Sequence, residues 1–462
     1  MTGSNKTPAI IIILYIVILV SYFMVFQQYW FMKLLGGTVI RIWIPNLLIL
    51  CLVGIRYAIT NRGPVFSVKK DLIYPLKVTL MILLIWDSFA LRYHDEGLWY
   101  VGKMMLVSFS PICLAIAIVL LVRNDFVLNR ILGLLFFCGL LMTLNVELRF
   151  LSGDPSFETL VTSHGYEIET YEEKLLLAGS EGIYRHGEQA LGINTYAAML
   201  IPLPLIGFYL SQRSSKRLIR FYYYFSSLFF FYAISVTMSR AAFIANTISA
   251  VVFFLLRYLR SSKIKFMAYS LIVFLIFNFM LLGFPGMKIR LFKMFAAVPV
   301  LSDVEYVYSK LYDYGVREKQ YFEPHFGRFG SSYDFIKESP IFGVGWTRQY
   351  LVNEHNHYVQ QAAIYGLISV AIYITFFITM VCLTWTVLKR MLRGDSSDAS
   401  LGTLLFACTI AFLFYLNASP GENLYVWVLF GLNIAWTKYT HEKERSYGWS
   451  PIDEKNKAIL HP

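Results

Sequence analysis

Charge is scarce in this sequence. Asp, Glu, Lys and Arg make up 15% of its 462 residues, against roughly a quarter in a soluble domain, while 57% are hydrophobic. A water-exposed globule, a disordered chain and a coiled coil all need more charge than this and are excluded. Cysteine is scarce too. The five (Cys51, Cys113, Cys138, Cys382 and Cys408) lie in or beside apolar runs, with no Cys-x-x-Cys pair. That excludes a small disulfide scaffold, and they read as small buried apolar residues. No segment repeats, so the inverted repeats of many transporters are not evident. Acids are the rarer sign of charge, leaving a formal net charge of +12. The bases are spread over short loops and form no single patch, so no nucleic-acid partner is expected.

What the chain does have is long apolar runs and many aromatics. A helix spanning a bilayer needs about 20 apolar residues, and lipid-exposed backbone must satisfy its own hydrogen bonds. Runs of that kind fall near 8–26, 34–55, 72–92, 98–122, 128–149, 190–210, 221–238, 240–256, 266–285, 358–388, 400–417 and 424–438. The expected fold is therefore an all-α polytopic membrane protein of about twelve transmembrane helices. Run 8–26 follows Lys6 and is closed by no small-x-small cleavage site, so it reads as the first of them.

Orientation is read from the loops. Segment 56–70 carries Arg56, Arg62, Lys69 and Lys70; segment 211–220 carries Arg213, Lys216, Arg217 and Arg220; segment 257–265 carries Arg257, Arg260, Lys263 and Lys265. None of these three holds an acid, and Lys389, Arg390 and Arg393 follow run 358–388. Counting from a cytoplasmic N-terminus puts every one of these loops inside, as the positive-inside rule requires, with the C-terminus inside as well. Loop 151–182, with seven acids against Lys174, falls outside.

Two outward loops are long, near 150–189 and 287–357, and loops beyond about 15 residues are usually functional or disordered. The second is rich in Tyr, Phe and Gly and is expected to be an ordered subdomain over the mouth of the bundle. The chain then divides into helices one to nine within 1–286, the large loop 287–357, helices ten to twelve within 358–438, and a cytoplasmic tail 439–462.

Three outward places hold strong polar groups. In Thr237-Met238-Ser239-Arg240, Ser239 is a good N-cap for the next helix, whose first amides favour an anion. Arg240 opposes the helix dipole there, so helix stability does not explain it. It reads as a phosphate ligand or as an interfacial arginine snorkelling to water. Next, Arg328 precedes Tyr333, Ile336 and Lys337, which share a helical face, and Pro340 ends that helix. Gly343-x-Gly345 reads as a turn, since it lacks the strand and third glycine of a nucleotide fingerprint. Arg328 reads as an anion ligand or as a loop arginine paired with Asp334 or Glu338. Last comes Asn353-Glu354-His355-Asn356-His357-Tyr358, where the chain re-enters the membrane. Histidine is the usual general base near neutral pH, but either histidine also reads as structural or interfacial. No third ligand stands at helical spacing, so a zinc site is not expected. Arg185 and Asn194 add a cation and an amide on the same side.

The order of these elements resembles the O-antigen ligase and O-antigen polymerase superfamily. There, as here, Ser239-Arg240 opening a helix, Arg328 ahead of Pro340-x-x-Gly343-x-Gly345, and His355-Asn356-x-Tyr358 entering the next helix flank a long periplasmic loop. The motif-bearing stretch covers roughly 185–375. The resemblance implies an integral glycosyltransferase of the bacterial inner membrane, GT-C-like in plan, working at the periplasmic face without a metal or other cofactor. Its donor would be an undecaprenyl-diphosphate-linked glycan. Its acceptor would be a lipid A core sugar for a ligase of lipopolysaccharide biosynthesis, or a second lipid-linked glycan for a polymerase.

Matched by position, Arg240 and Arg328 correspond to the family's diphosphate-binding arginines and His355 to its general base. Arg185 and Asn194 correspond to its polar segment before helix six. Ser239, Asn356, Tyr358 and His357 stand beside them, and the second histidine leaves open which ring is the base.

The chemistry suits those residue types. A diphosphate leaving group needs fixed cations and helix N-termini where no metal acts, and arginine stays protonated and binds two oxygens at once. A sugar hydroxyl is a weak nucleophile that a histidine within reach would activate, and direct displacement inverts the anomeric carbon. The competing class is a twelve-helix transporter or a lipid-linked glycan flippase. Against it, strong charges are sparse near the bilayer midplane, where Arg41 and Glu147 are the main candidates and Glu147 is near a helix end.

Overall fold

The computed structural model describes residues 9–26, 48–55, 72–90, 98–151, 193–258 apart from Met238, 329–345, 356–393, 399–416 and 424–446. Run 266–285, most of 34–55, the acidic loop near 150–189, most of loop 287–357 and the end of the tail lie outside the described residues. Among those described, the regular structure is helical throughout and includes no strand. The helices are α1 (Ala9–Phe26), α2 (Tyr74–Ala90), α3 (Leu98–Leu121), α4 (Asp125–Leu151), α5 (Ile193–Leu200), α6 (Leu203–Arg213), α7 (Arg217–Val236), α8 (Arg240–Tyr258), α9 (Phe329–Glu338), α10 (His357–Tyr365), α11 (Leu367–Arg393), α12 (Ala399–Leu416) and α13 (Leu424–Ser446). Residues 48–55 are helical as well.

By length and composition, Asp125–Leu148, Leu367–Leu392 and Ala399–Leu416 can each cross a membrane. Shorter apolar stretches occur at Ala9–Leu19, Phe109–Leu121 and Ala241–Arg257. The chain is thus a helical membrane protein in its coarse plan.

Two apolar runs are each split into a pair of helices. Run 190–210 breaks at Ile201-Pro202, because Pro202 and Pro204 bring no N–H to the helix ladder. The Ile201 carbonyl freed there accepts from Asn246 Nδ2 of α8 at 2.7 Å. Run 358–388 breaks at Gly366, between α10 and α11.

The core forms around α13, which packs on α3, α11 and α12. Trp427, Phe430, Ala435 and Trp436 are fully buried, as expected of a helix apolar on every side. Polar pairs tie it to its neighbours: Asn433 donates to Thr409 of α12 at 3.0 Å, and Thr437 bonds Thr384 of α11 at 3.1 Å. Such bonds hold helices together where lipid supplies no hydrophobic drive.

Side-chain contacts fix which helix ends lie together. Tyr209 donates to Asn129 at 2.8 Å and accepts from Arg213 at 2.9 Å, joining the end of α6 to the start of α4. Tyr439 bonds Asp125, and Arg390 pairs with Glu444 at 3.2 Å, adding the ends of α13 and α11. This is the basic end, with Arg213, Lys216, Arg217, Arg220, Lys389 and Arg390. Helix α7 starts there, four residues after α6 ends, and its 20 residues extend about 30 Å. The α7–α8 turn is therefore at the opposite end. So are the end of α12 and the start of α11, since α11 ends at the basic end, where Arg390 pairs with Glu444, and Gly402 near the start of α12 lies against Trp436 of α13. The motif-bearing segments gather at that far end.

Candidate functional site

The far end is organised by the break between α10 and α11. Helix α9 stops two residues before Pro340, and the chain then turns back, with Ser339 N–H on Phe335 O (3.1 Å) and Gly343 N–H on Ser339 O (2.9 Å). Gly343 and Gly345 take φ of +68° and +79°, the left-handed region open to glycine. This turn lies against the break, where the last four carbonyls of α10 need partners. Ala362 O accepts from Gly366 N–H at 3.0 Å, Ala363 O from Val344 N–H at 2.8 Å, and Ile364 O from Gly345 N–H at 3.0 Å. The fourth, Tyr365 O, accepts from Trp86 Nε1 of α2 at 3.1 Å. On the other side Leu367 N–H donates to Pro340 O at 2.8 Å. Broken helices survive in a membrane only where their freed backbone groups are met in this way.

Side chains seal the junction. The Trp86 ring stacks on Phe342, with centroids 5.2 Å apart and planes within 10°. Phe335 and Ile336 of α9 pack on Ala363, Ile364 and Tyr365. Tyr333 and Lys337 lie on the exposed side, the ammonium 4.2 Å from the ring centroid. Beneath, the buried Asp87 accepts from Ser369 Oγ at 2.6 Å and from Gln361 Nε2 at 3.1 Å, and Gln361 also donates to Ser369 Oγ at 3.1 Å.

Helix α10 begins at the re-entry motif. Asn356 is its N-cap, with Oδ1 accepting from Val359 N–H at 3.2 Å. His357, its first residue, is buried and sits 5.3 Å from the Tyr373 ring and 6.1 Å from that of Tyr358. Tyr358 is half-buried and directs its hydroxyl at the Leu413 carbonyl of α12, a long 3.5 Å contact.

Helix α8, which packs along the same α12, opens at Ser239-Arg240. Ser239 is buried, and its carbonyl accepts the first helical bond from Phe243 N–H at 3.0 Å. Its own N–H donates to Thr237 Oγ1 at 3.2 Å, while that hydroxyl donates to Ile234 O at 2.7 Å. Thr237 thus closes α7 and sets the start of α8. Arg240 is the first residue of α8, beside amides that would favour an anion.

No model of a known protein family matches the chain, and none of the curated proteins compared with it does.

Of the residues singled out from the sequence, the structure brings Ser239, Arg240 (as backbone), Asn356, His357 and Tyr358 to one end of the bundle, with Gly343 and Gly345. Asn194 is the second residue of α5, and its side chain lies outside the described residues, as does that of Arg240. Arg185, Arg328 and His355 lie wholly outside them. Asn356 has a structural task, the cap of α10. His357 packs against Tyr373. Among the described residues no three His, Cys, Asp or Glu side chains gather as a metal would need.

Sequence reasoning passed over Trp86, Asp87, Gln361 and Ser369. A signal was present: Asp87 is an acid inside the apolar run 72–92, where an ionisable residue is costly and calls for a role. Glu147 of α4 is buried too, and Arg41 lies outside the described residues.

Proposed function

We propose that this protein is an O-antigen ligase-like glycosyltransferase, with about twelve membrane helices in a GT-C-like plan and both termini in the cytoplasm. It moves a glycan from an undecaprenyl-diphosphate carrier to a hydroxyl of the lipid A core at the periplasmic face of the inner membrane. Arg240, Arg328 and Arg185 bind the diphosphate, with the first amides of α8 adding to the field met by the leaving group. His355 takes the proton of the acceptor hydroxyl as it attacks the anomeric carbon, which inverts. No metal or other cofactor enters this scheme.

One observation carries the reading. Three motifs far apart in sequence, at Ser239-Arg240, Pro340–Gly345 and Asn356–Tyr358, lie toward one end of the bundle, opposite the end where Arg213, Lys216, Arg217, Arg220, Lys389 and Arg390 stand. That is where a lipid-linked donor would present its diphosphate and sugar while its tail stays between helices.

The test is a transfer assay on the purified protein with an undecaprenyl-diphosphate-linked glycan and a chelator. One arm also receives lipid A core. A shifted lipid A band supports the ligase. A ladder from donor alone makes the protein a polymerase of the same family and retains the site. Silence in both arms with folded protein removes the transferase reading and favours a transporter or flippase, for which the buried Asp87 and Glu147 in membrane helices would be the first residues to probe.

A further inference from the structure

We propose that Asp87 is a positioning residue that holds α10 at a fixed angle to α11 across Gly366, and so sets where the Asn356-His357-Tyr358 segment stands. Gly366, at φ +87° and ψ 167°, has a conformation that limits bending little by itself. The angle between the two helices must come from contacts on either side of it. The Asp87 carboxyl supplies them from a third helix: one oxygen holds Ser369, in the first turn of α11, and the other holds Gln361, in the middle of α10. The Gln361–Ser369 bond closes the triangle over the break. A carboxyl suits this place because each of its two oxygens can accept a bond, one from each helix.

The lever is long. Asn356 lies ten residues from the Gly366 pivot, about 15 Å along α10, so a change of about 10° would shift it by about 2.6 Å. A misplacement of about 1 Å is enough to slow a positioned reaction severely. The docked turn feels the same motion, since Val344 and Gly345 bond carbonyls of α10. The mechanical part of this inference stands without the transferase reading, and only its effect on turnover rests on that reading.

The experiment uses the full chain in lipid nanodiscs, with Asp87→Ala, Asp87→Asn and Ser369→Ala. Hydrogen exchange is followed in peptides covering 341–345, and glycan transfer is measured alongside. In Asp87→Ala, exchange at Val344 and Gly345 should quicken roughly tenfold or more, the scale of a buried donor left without its acceptor. Its kcat should fall while the donor KM stays within about twofold, as expected when a group is moved and binding is kept. Asparagine keeps one acceptor for Ser369 and can meet a flipped Gln361 amide, so Asp87→Asn should restore both readouts to within about threefold of wild type. Ser369→Ala, which spares the carboxyl and Gln361, should fall between, and it decides the matter if Asp87→Ala does not fold. Unchanged exchange in Asp87→Ala or Ser369→Ala overturns the proposal. So does Asp87→Asn that regains protection but not turnover, since the acid itself would then act directly. If wild type transfers no glycan, the exchange result alone decides for or against the latch, and it is the transferase reading that falls.

Discussion

Replacing Gly366 with alanine tests the docked turn directly. With φ +87° and ψ 167°, this residue occupies a region that essentially only glycine visits, and an alanine held there costs about 1–3 kcal/mol. Its methyl group would also run into the Ile341 carbonyl, which is backbone and cannot rotate away. The turn must then lift, and the bonds from Val344 and Gly345 to Ala363 and Ile364 are lost at about 1 kcal/mol each. The sum is about 3–5 kcal/mol, large for a single methyl group. Gly133 of α4 provides the control: a Cβ added there meets nothing within 4 Å, so Gly133→Ala should be neutral or stabilise by up to about 1 kcal/mol. Thermal unfolding of both variants in nanodiscs, followed by tryptophan fluorescence, should give a clearly lowered Tm for Gly366→Ala and an equal or raised Tm for Gly133→Ala. Equal Tm values for the two would refute the docked turn and the reasoning built on it.

Asn356→Ala should cost about 1 kcal/mol of stability through the lost cap on Val359 N–H, and Asn356→Asp should recover most of it in the same unfolding assay. At the basic end, burial first and then the nearby Arg390 and Arg445 hold the His441 pKa below its usual 6.5. The folded protein therefore binds fewer protons there than the unfolded chain. That stability is present above pH 6.5 and is lost as pH falls through the depressed value. His441→Gln should flatten the rise of Tm with pH below 6.5 and leave Tm above it unchanged; an unaltered slope would exclude His441 as its source.

Among the described residues, apolar runs coincide with helices because length and hydropathy are what a lipid-buried backbone demands. The ends of α2, α3 and α12 fall within two residues of the expected runs. The two breaks were harder to see, for different reasons. At Pro202 the cause is local, since two prolines stand in the run and could have been read as a stop. At Gly366 one glycine in apolar surroundings carries little signal, and the break is stabilised by partners far away in sequence. Trp86 meets the Tyr365 carbonyl from 279 positions upstream. The site divides the same way. The Gly343-x-Gly345 turn, the stop at Pro340 and the helix opening at Ser239 follow local rules of φ, proline and capping. The bonds of Asp87 to Gln361 and Ser369 join three helices, and no window of sequence contains them.

The proposed function stands or falls on glycan transfer from a diphosphate carrier that depends on Arg240 and His355. The most direct measurement is the rate of lipid A core glycosylation by wild type, Arg240→Ala and His355→Ala in nanodiscs, each checked for folding by its Tm. Loss of a general base should slow transfer by about 10²–10⁴-fold, and loss of a diphosphate-binding arginine should reduce it strongly as well. Both variants should unfold like wild type and lose transfer on that scale. Full activity in both would contradict it.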